Sequence, residues 1–526
     1  MGSGKQGMKR EVGLISLTFV GVSGVIGSGW LFAPMLAAQM AGPASLVAWG
    51  LGGIAIMLLA LSFAEISAML PVSGGIARVP HFSHGNVVST AMGWSAWIGY
   101  NTTAPIEVEA MLSYLAPHIP GLYTDGTMEH LSTVGIISAA ATLLLFTVLN
   151  LYGVRLFARL NASITWFKIA IPLVVSAVLL FDRFEISNFT AVGGFSPMGL
   201  HGILASISSG GIIFAYIGFR HTIDMAGEAK NPQVTVPLAI IFSLVICFLI
   251  YGALQLAFIA AMPQSALDNG WSNIHFSGDF GPVSGLATAV GLLWLVSILN
   301  IGAVISPLGG GLVAVGSMGR LALALSKNGF FPKLFQKLNR YSVPATALFF
   351  NFLVSTSVFV LLPFDQVVSL NGAAIILSFV AGPVAVAALR NIDPDRKRSF
   401  RLPLLVITGP AAFVVATLII YWSGWNTFTQ LGGCLFVGGV LFVLRMWKTG
   451  IDEMDLKEAV WLAPYLIGLG LLSYLGTFGG GIGVLPFGWD LLVISLFSIG
   501  IFYLAVRGCL SPEKYQSYLN DEDMGF

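Results

Sequence analysis

Two hydrophobic stretches of this chain are interrupted by glycine at corresponding points of its two halves, which constrains the fold more than anything else in it. The first runs from Val12 to Ala41 and contains Gly21-Val22-Ser23-Gly24-Val25-Ile26-Gly27-Ser28-Gly29. The second runs from Gly199 to Glu228 and contains Ser208-Ser209-Gly210-Gly211, followed by Phe214-Ala215-Tyr216-Ile217-Gly218-Phe219. Each has about 30 residues where about 20 cross a bilayer. A glycine in a helix interior costs about 0.8–1.0 kcal/mol relative to alanine, so clusters this dense predict broken helices. Hydrocarbon accepts irregular backbone only where protein or a water-filled cavity surrounds it. Broken spans in matching positions therefore point to a solute site near the midplane, of the kind secondary transporters build.

The chain is 56% hydrophobic and 9% charged, which predicts an all-α polytopic membrane protein. It offers about fourteen stretches of bilayer-crossing length. Stretch 284–325 is too long for one straight span and predicts a kink or an extension beyond the membrane. Spans one to five occupy 11–182 and spans six to ten occupy 199–390. Because five is odd, the second set enters with opposite orientation, which makes a five-plus-five inverted repeat. Peripheral helices fill 402–508, short capping elements 118–131 and 263–283, and tails 1–10 and 509–526, the latter ending in a solvated Asp521-Glu522-Asp523.

Charge placement sets the orientation. With the N-terminus inside, Arg78, Arg155, Arg159, Lys327, Arg340, Arg390 and Arg396-Lys397-Arg398 fall in inner loops, and of 25 Lys and Arg only Arg183 lies outside. That bias predicts two cytoplasmic termini and residence in the plasma (cytoplasmic) membrane. The net charge of +1 implies the bilayer and a small solute as partners and no nucleic acid; oligomeric state stays open. Cys247, Cys434 and Cys509 make no disulfide or metal framework. The first apolar stretch lacks a cleavage pattern and is expected to stay.

A broken helix frees backbone groups. From Gly29 the second half of the first span presents unpaired N–H groups and a positive dipole end, which suit a carboxylate without any cationic side chain. Glycine lets a ligand approach the backbone, and Ser23 and Ser28 add hydroxyls. At the second break the first half-helix is expected to end near Phe214, leaving carbonyls for an ammonium group. Facing carboxylate and ammonium sites describe a zwitterionic α-amino acid. The alternative is that Gly21, Gly24 and Gly27 only allow close helix packing.

These segments resemble the amino acid–polyamine–organocation family of permeases. Gly24-Val25-Ile26-Gly27-Ser28-Gly29 is similar to that family's first-helix carboxylate loop. Phe214-Ala215-Tyr216-Ile217-Gly218-Phe219 and Lys230-Asn231-Pro232-Gln233 are similar to its sixth-helix motif and the segment after it. Ala64-Glu65-Ile66-Ser67-Ala68-Met69-Leu70-Pro71 with Ser73-Gly74-Gly75 resembles the end of helix two, and Asn328-Gly329-Phe330-Phe331-Pro332 that of helix eight. Within the family, Gly27 to Phe32, Phe82-Ser83-His84-Gly85 and Tyr421 to Asn426 resemble the aspartate–proton symporter branch. The resemblance implies a LeuT-type core, alternating access, and substrate contacts at Val25, Ile26, Gly27, Ser28 and Gly29 and at Phe214, Ala215, Tyr216, Ile217 and Gly218.

Charges inside spans need a reason. Lys168 lies about 13 Å along the fifth span from Arg159; either it snorkels, or it resembles the fifth-helix lysine of sodium-independent relatives. In the second case it reaches carbonyls between Gly21 and Val25 and is the main proton-coupling candidate, ahead of Glu107 and His221. Arg220 departs from the common family pattern. It either faces the cavity as a bidentate partner for a second carboxylate or pairs with Asp224 at i,i+4. His221 is a titrating group or a satisfied structural one. Glu107 and Glu109 stand on different helix faces, one toward a vestibule or proton path, the other toward water or headgroups. Asn101, Thr102 and Thr103, before Pro105, are expected to line the cavity. Glu65 reads as structural, and Asn300 and Ser306 as weaker ion-site candidates.

These observations favour a proton-coupled symporter of an acidic amino acid, with no cofactor, no metal and no sodium. The rivals are a sodium-independent exchanger or permease for neutral amino acids or amines, and a non-transporting amino acid sensor. No nucleophile–base constellation suggests an enzyme.

Overall fold

A computed structural model describes residues 10, 12–72, 75–124, 130–152, 154–276, 281–449 and 455–520. Most of tail 1–10, Ser73-Gly74, the side chains of Arg155 and Arg159, and Asp521-Glu522-Asp523 lie outside the described residues. Described secondary structure is helical apart from two isolated bridges, Val12 to Ala229 and Tyr123 to Leu131. Each expected stretch holds helix. Nine described helices are long and apolar enough to cross a membrane, or ten with one bent pair counted as a span.

The first repeat contains α1 (Leu14–Val25), α2 (Gly29–Ala41), α3 (Ser45–Met69), α4 (Gly75–Leu115), α5 (Thr133–Leu151) and α6 (Val154–Asp182). The second contains α7 (Gly199–Ser209), α8 (Ile212–Tyr216), α9 (Arg220–Asp224), α10 (Pro232–Ala260), α11 (Pro282–Ala289), α12 (Leu293–Lys327), α13 (Ala345–Leu361), α14 (Phe364–Phe379) and α15 (Ala381–Ile392). The overlong stretch 284–325 resolves into α11, a turn at Gly291 (φ +80°) and the 35-residue α12. Similarly, α4 bends at Gly85 (φ +78°), where the Asp455 carboxylate fills the space of a side chain and accepts from Asn86 N–H at 2.8 Å.

Both repeats open on a broken element. α1 stops at Val25, residues 26–28 leave the helix, and α2 starts at Gly29. The second break differs from expectation: α7 ends at Ser209, five residues before Phe214, because Gly211 takes a left-handed conformation (φ +80°) open to glycine. The chain bends there by 47°. Phe214 therefore lies in α8, past the break, and Ile217–Phe219 form a 3₁₀ turn before α9.

Four peripheral helices follow, α16 (Leu405–Trp422), α17 (Gly424–Thr449), α18 (Leu462–Leu475) and α19 (Trp489–Arg507). Their outward faces carry exposed Val406, Phe436 and Trp447, as lipid contact demands. Glu65 accepts both Arg390 Nε (2.9 Å) and Nη2 (2.7 Å) and the Leu402 N–H (2.6 Å), so its reading as structural holds. Within the tail, α20 (Pro512–Asn520) buries Tyr515 completely, and Lys514 pairs with Asp455 (3.0 Å) and Glu458 (3.1 Å).

Candidate substrate-binding site

The two breaks meet backbone to backbone. A side chain at Gly218 would lie 2.0 Å from the Gly24 carbonyl, and one at Gly24 2.8 Å from the Gly218 carbonyl. Only glycine permits this approach. Beside the contact lies a narrow cavity of about 10 Å³ lined by Gly24, Val25, Thr103, Glu107, Phe214, Ile217, Gly218 and Arg220. That is room for about one water, so in this conformation the site is closed around its lining residues and must open to admit a solute.

Three side chains fix the first break. Lys168 is fully buried, and its Nζ donates to Ser23 O (2.5 Å) and Ser23 Oγ (3.0 Å). This falls within the expected Gly21–Val25 segment and excludes snorkelling. Tyr251 on α10 donates to Val25 O at 2.7 Å. Glu107, buried in mid-span, accepts the Ser28 N–H through Oε2 at 2.7 Å. The positive end of α2, expected to face a substrate carboxylate, thus holds the chain's own carboxylate in this conformation.

Missing side chains make room for these groups. Built at Gly27 and Gly310, a Cβ would stand 2.0 Å and 2.8 Å from Glu107, and one at Gly309 would stand 3.0 Å from Lys168 Nζ. The triplet Gly309-Gly310-Gly311 in α12 is the sequence signal that locates this surface, and neither it nor Tyr251 is among the residues expected from the sequence.

Arg220 resolves in favour of the cavity. Its Nη2 donates to Thr103 Oγ1 at 2.7 Å, and its guanidinium lies 4.4 Å from the Tyr100 ring centroid. Nε and Nη1 are buried without a hydrogen-bond partner. Asp224 instead accepts from the Tyr100 hydroxyl at 2.5 Å, so the expected i,i+4 pair is not what holds Arg220. Asn371 on α14 steadies Thr103 from the other side at 2.9 Å.

Other candidates lie elsewhere. Asn101 does not line the cavity; it turns toward α13, where Ser355 Oγ donates to its side chain at 3.2 Å. Tyr216 points to α3, packed on Trp49 and Tyr251 at 5.3 and 5.6 Å. Ile26 is buried outside the lining, and Gly29 packs on Ala215. The Ser28 hydroxyl is buried without a partner. His221 bonds to Ser317 Oγ at 2.8 Å, a structural partner outside the cavity lining. Asn300 pairs with His118 at 3.3 Å, and Ser306 is buried and unpartnered. Among the described residues no three His, Cys, Asp or Glu gather as metal ligands.

Past α9 the chain returns against the start of α1: Val12 N–H donates to Glu228 O (3.0 Å) and Lys230 N–H to Val12 O (2.8 Å). Arg320 pairs with Glu228 at 3.1 Å. Together these contacts seal the start of α1 against the segment after α9 and against α12.

Comparison with known proteins agrees with this architecture. The amino acid permease family model matches residues 12–441. The chain is 35% identical to a glutamate/serine transporter of Bacillus subtilis, AimA, over 98% of its own length and 96% of the relative's. It is also 35% identical to an aspartate-proton symporter of the same organism, over 95% and 97%. A branched-chain amino acid permease, BcaP, is 27% identical over 85% and 95%. The chain belongs to the amino acid permease family. It is an integral membrane permease and not an enzyme.

Proposed function

We propose that this protein is a proton-coupled symporter of an acidic amino acid, aspartate or glutamate, working by alternating access in the plasma membrane with both termini cytoplasmic. The observation that carries the substrate class is Arg220. A fully buried guanidinium with two unpartnered nitrogens at a cavity wall is costly unless an anion completes it. The side-chain carboxylate of the substrate supplies that anion, held bidentate. Its α-carboxylate takes the amides of Gly27 to Gly29, displacing Glu107, and its ammonium group faces carbonyls of the second break.

Coupling is assigned first to Lys168. Its ammonium occupies the centre of the first break, where a bound cation would otherwise hold the Ser23 carbonyl, so no sodium is needed. Loss of its proton frees α1 to move, and Glu107, displaced from Ser28, is the neighbouring carboxylate able to exchange a proton. The Val12–Glu228 seal then parts to the cytosol. The names of the relatives support amino acid transport in general, and one of them, an aspartate-proton symporter, supports this form of it.

The test is labelled aspartate uptake into proteoliposomes under an inward proton gradient without sodium. Concentrative uptake that a protonophore collapses is the expected result; none, from folded protein, refutes it. One relative's name joins glutamate with serine, which favours a second reading as a broader permease. Labelled serine entering as well as aspartate would select that one.

A further inference from the structure

We infer that Asp224 takes up a proton in each transport cycle and that Arg220 ties this proton to the acidic substrate, an inference that rests on the symport reading above. Asp224 is fully buried on α9. One oxygen, Oδ2, accepts from the Tyr100 hydroxyl at 2.5 Å, while Oδ1 has no hydrogen-bond partner. The guanidinium of Arg220 lies over the face of the same tyrosine, 4.4 Å from its centroid. The Tyr100 ring thus stands between a cation at the cavity wall and an anion bonded to its hydroxyl.

Other ionisable groups around Asp224 are already committed. His221 Nδ1 lies 3.9 Å from Oδ2 but bonds to Ser317 on α12. Arg320, also on α12, pairs with Glu228. Helix α1 carries no ionisable side chain. Helix α10 brings Cys247, buried, and Tyr251, which bonds to Val25 O. On α3, Glu65 is held by Arg390, and of the two further carboxylates on α4, Glu107 accepts from Ser28 N–H while Glu109 is buried two residues on, on a different helix face.

Charge balance gives the consequence. Lys168 and Arg220 supply two positive charges to this buried region, and Glu107 and Asp224 two negative ones. Aspartate enters with one ammonium and two carboxylates, so its binding leaves one excess negative charge out of contact with water. Buried charge must be paired or neutralised. A proton added to Oδ1 of Asp224 neutralises it, with no bond broken, and removes the competing negative charge across the Tyr100 ring, leaving the unpartnered nitrogens of Arg220 to the substrate. That proton enters with the substrate and leaves with it. A neutral amino acid brings no such excess and does not recruit it.

The experiment is the proton-to-aspartate ratio, read in proteoliposomes at zero membrane potential as the pH gradient that just balances a fixed aspartate gradient. Each coupled proton multiplies the attainable gradient about tenfold per pH unit. In Asp224→Asn the ratio is expected to fall by one, a loss of about tenfold in accumulation per pH unit; an unchanged ratio overturns the inference. Aspartate self-exchange, which needs no net proton movement, reports whether the variant is folded. If that variant does not exchange, Tyr100→Phe replaces it. Removing the hydroxyl that stabilises the charged carboxylate is expected to move the pH midpoint of uptake upward, and an unmoved midpoint overturns the inference. Wild-type uptake indifferent to the proton gradient refutes the symport reading and this one with it. Wild-type coupling with unchanged variants refutes this one alone.

Discussion

Gly27→Ala tests whether the fit of Glu107 against the first break controls transport. The new Cβ would stand 2.0 Å from Glu107 Oε1 and 2.7 Å from Cδ, so the carboxylate must move by more than an ångström. It cannot retreat freely: a Cβ at Gly310 would lie 2.8 Å away, so the carboxylate already fills that space too. A shift of that size lengthens the 2.7 Å bond from Ser28 N–H beyond hydrogen-bonding range. Losing one hydrogen bond to a charged group costs about 1.5–3 kcal/mol, or roughly ten- to 150-fold in an equilibrium constant. We expect the detergent-solubilised protein to lose about that much stability and melt earlier, and kcat/KM for aspartate to fall because the added methyl stands where the substrate α-carboxylate must replace Glu107. Gly50→Ala, where nothing lies within 4 Å of the new Cβ, controls for glycine replacement and should leave both unchanged or slightly raised. Gly27→Ala with Glu107→Asp, one methylene shorter, should recover part of the loss. Wild-type kinetics and melting in Gly27→Ala alone would show that Glu107 relocates without cost, and the role given to its contact with Ser28 would be wrong.

Three further outcomes follow from the same geometry. Lys168→Ala removes the donor from Ser23 O and should abolish proton-driven aspartate accumulation, measured as the loss of uphill uptake; full retention removes Lys168 from coupling. Arg220→Ala should raise the aspartate KM by at least roughly ten- to 150-fold, the cost of one of the two charged hydrogen bonds of the bidentate pair, with serine uptake changed far less; equal losses would assign Arg220 a structural role. Glu65→Ala removes the carboxylate shared by Arg390, Arg398 and the Leu402 N–H. Breaking a buried pair on one side costs about 3–5 kcal/mol, so this variant should melt markedly earlier, while its surviving folded fraction keeps the wild-type aspartate KM.

What could be read from the sequence follows from what sequence records. Glycine density reports backbone shape directly, and the first break was legible almost to the residue: α2 begins at Gly29 as expected. A lysine in mid-span needs a reason, and the resemblance to sodium-independent relatives set Lys168 against the carbonyls between Gly21 and Val25, where it meets Ser23. The second break was misplaced because it needs a single left-handed residue, Gly211, whereas the conspicuous Phe214–Phe219 motif marks the cavity wall beyond it. Facing was harder. Each residue turns a helix by about 100°, and α4 is buried nearly all round, so no polar stripe told Asn101 from Thr103 or Glu107 from Glu109. That information lay on another helix. Gly309 and Gly310 are absent side chains whose space Lys168 and Glu107 occupy, so the clue to which α4 carboxylate reaches the break was a glycine run in α12. In a membrane bundle, where apolar surface does not distinguish inside from outside, runs of small residues mark where the functional side chains of a neighbouring helix must go.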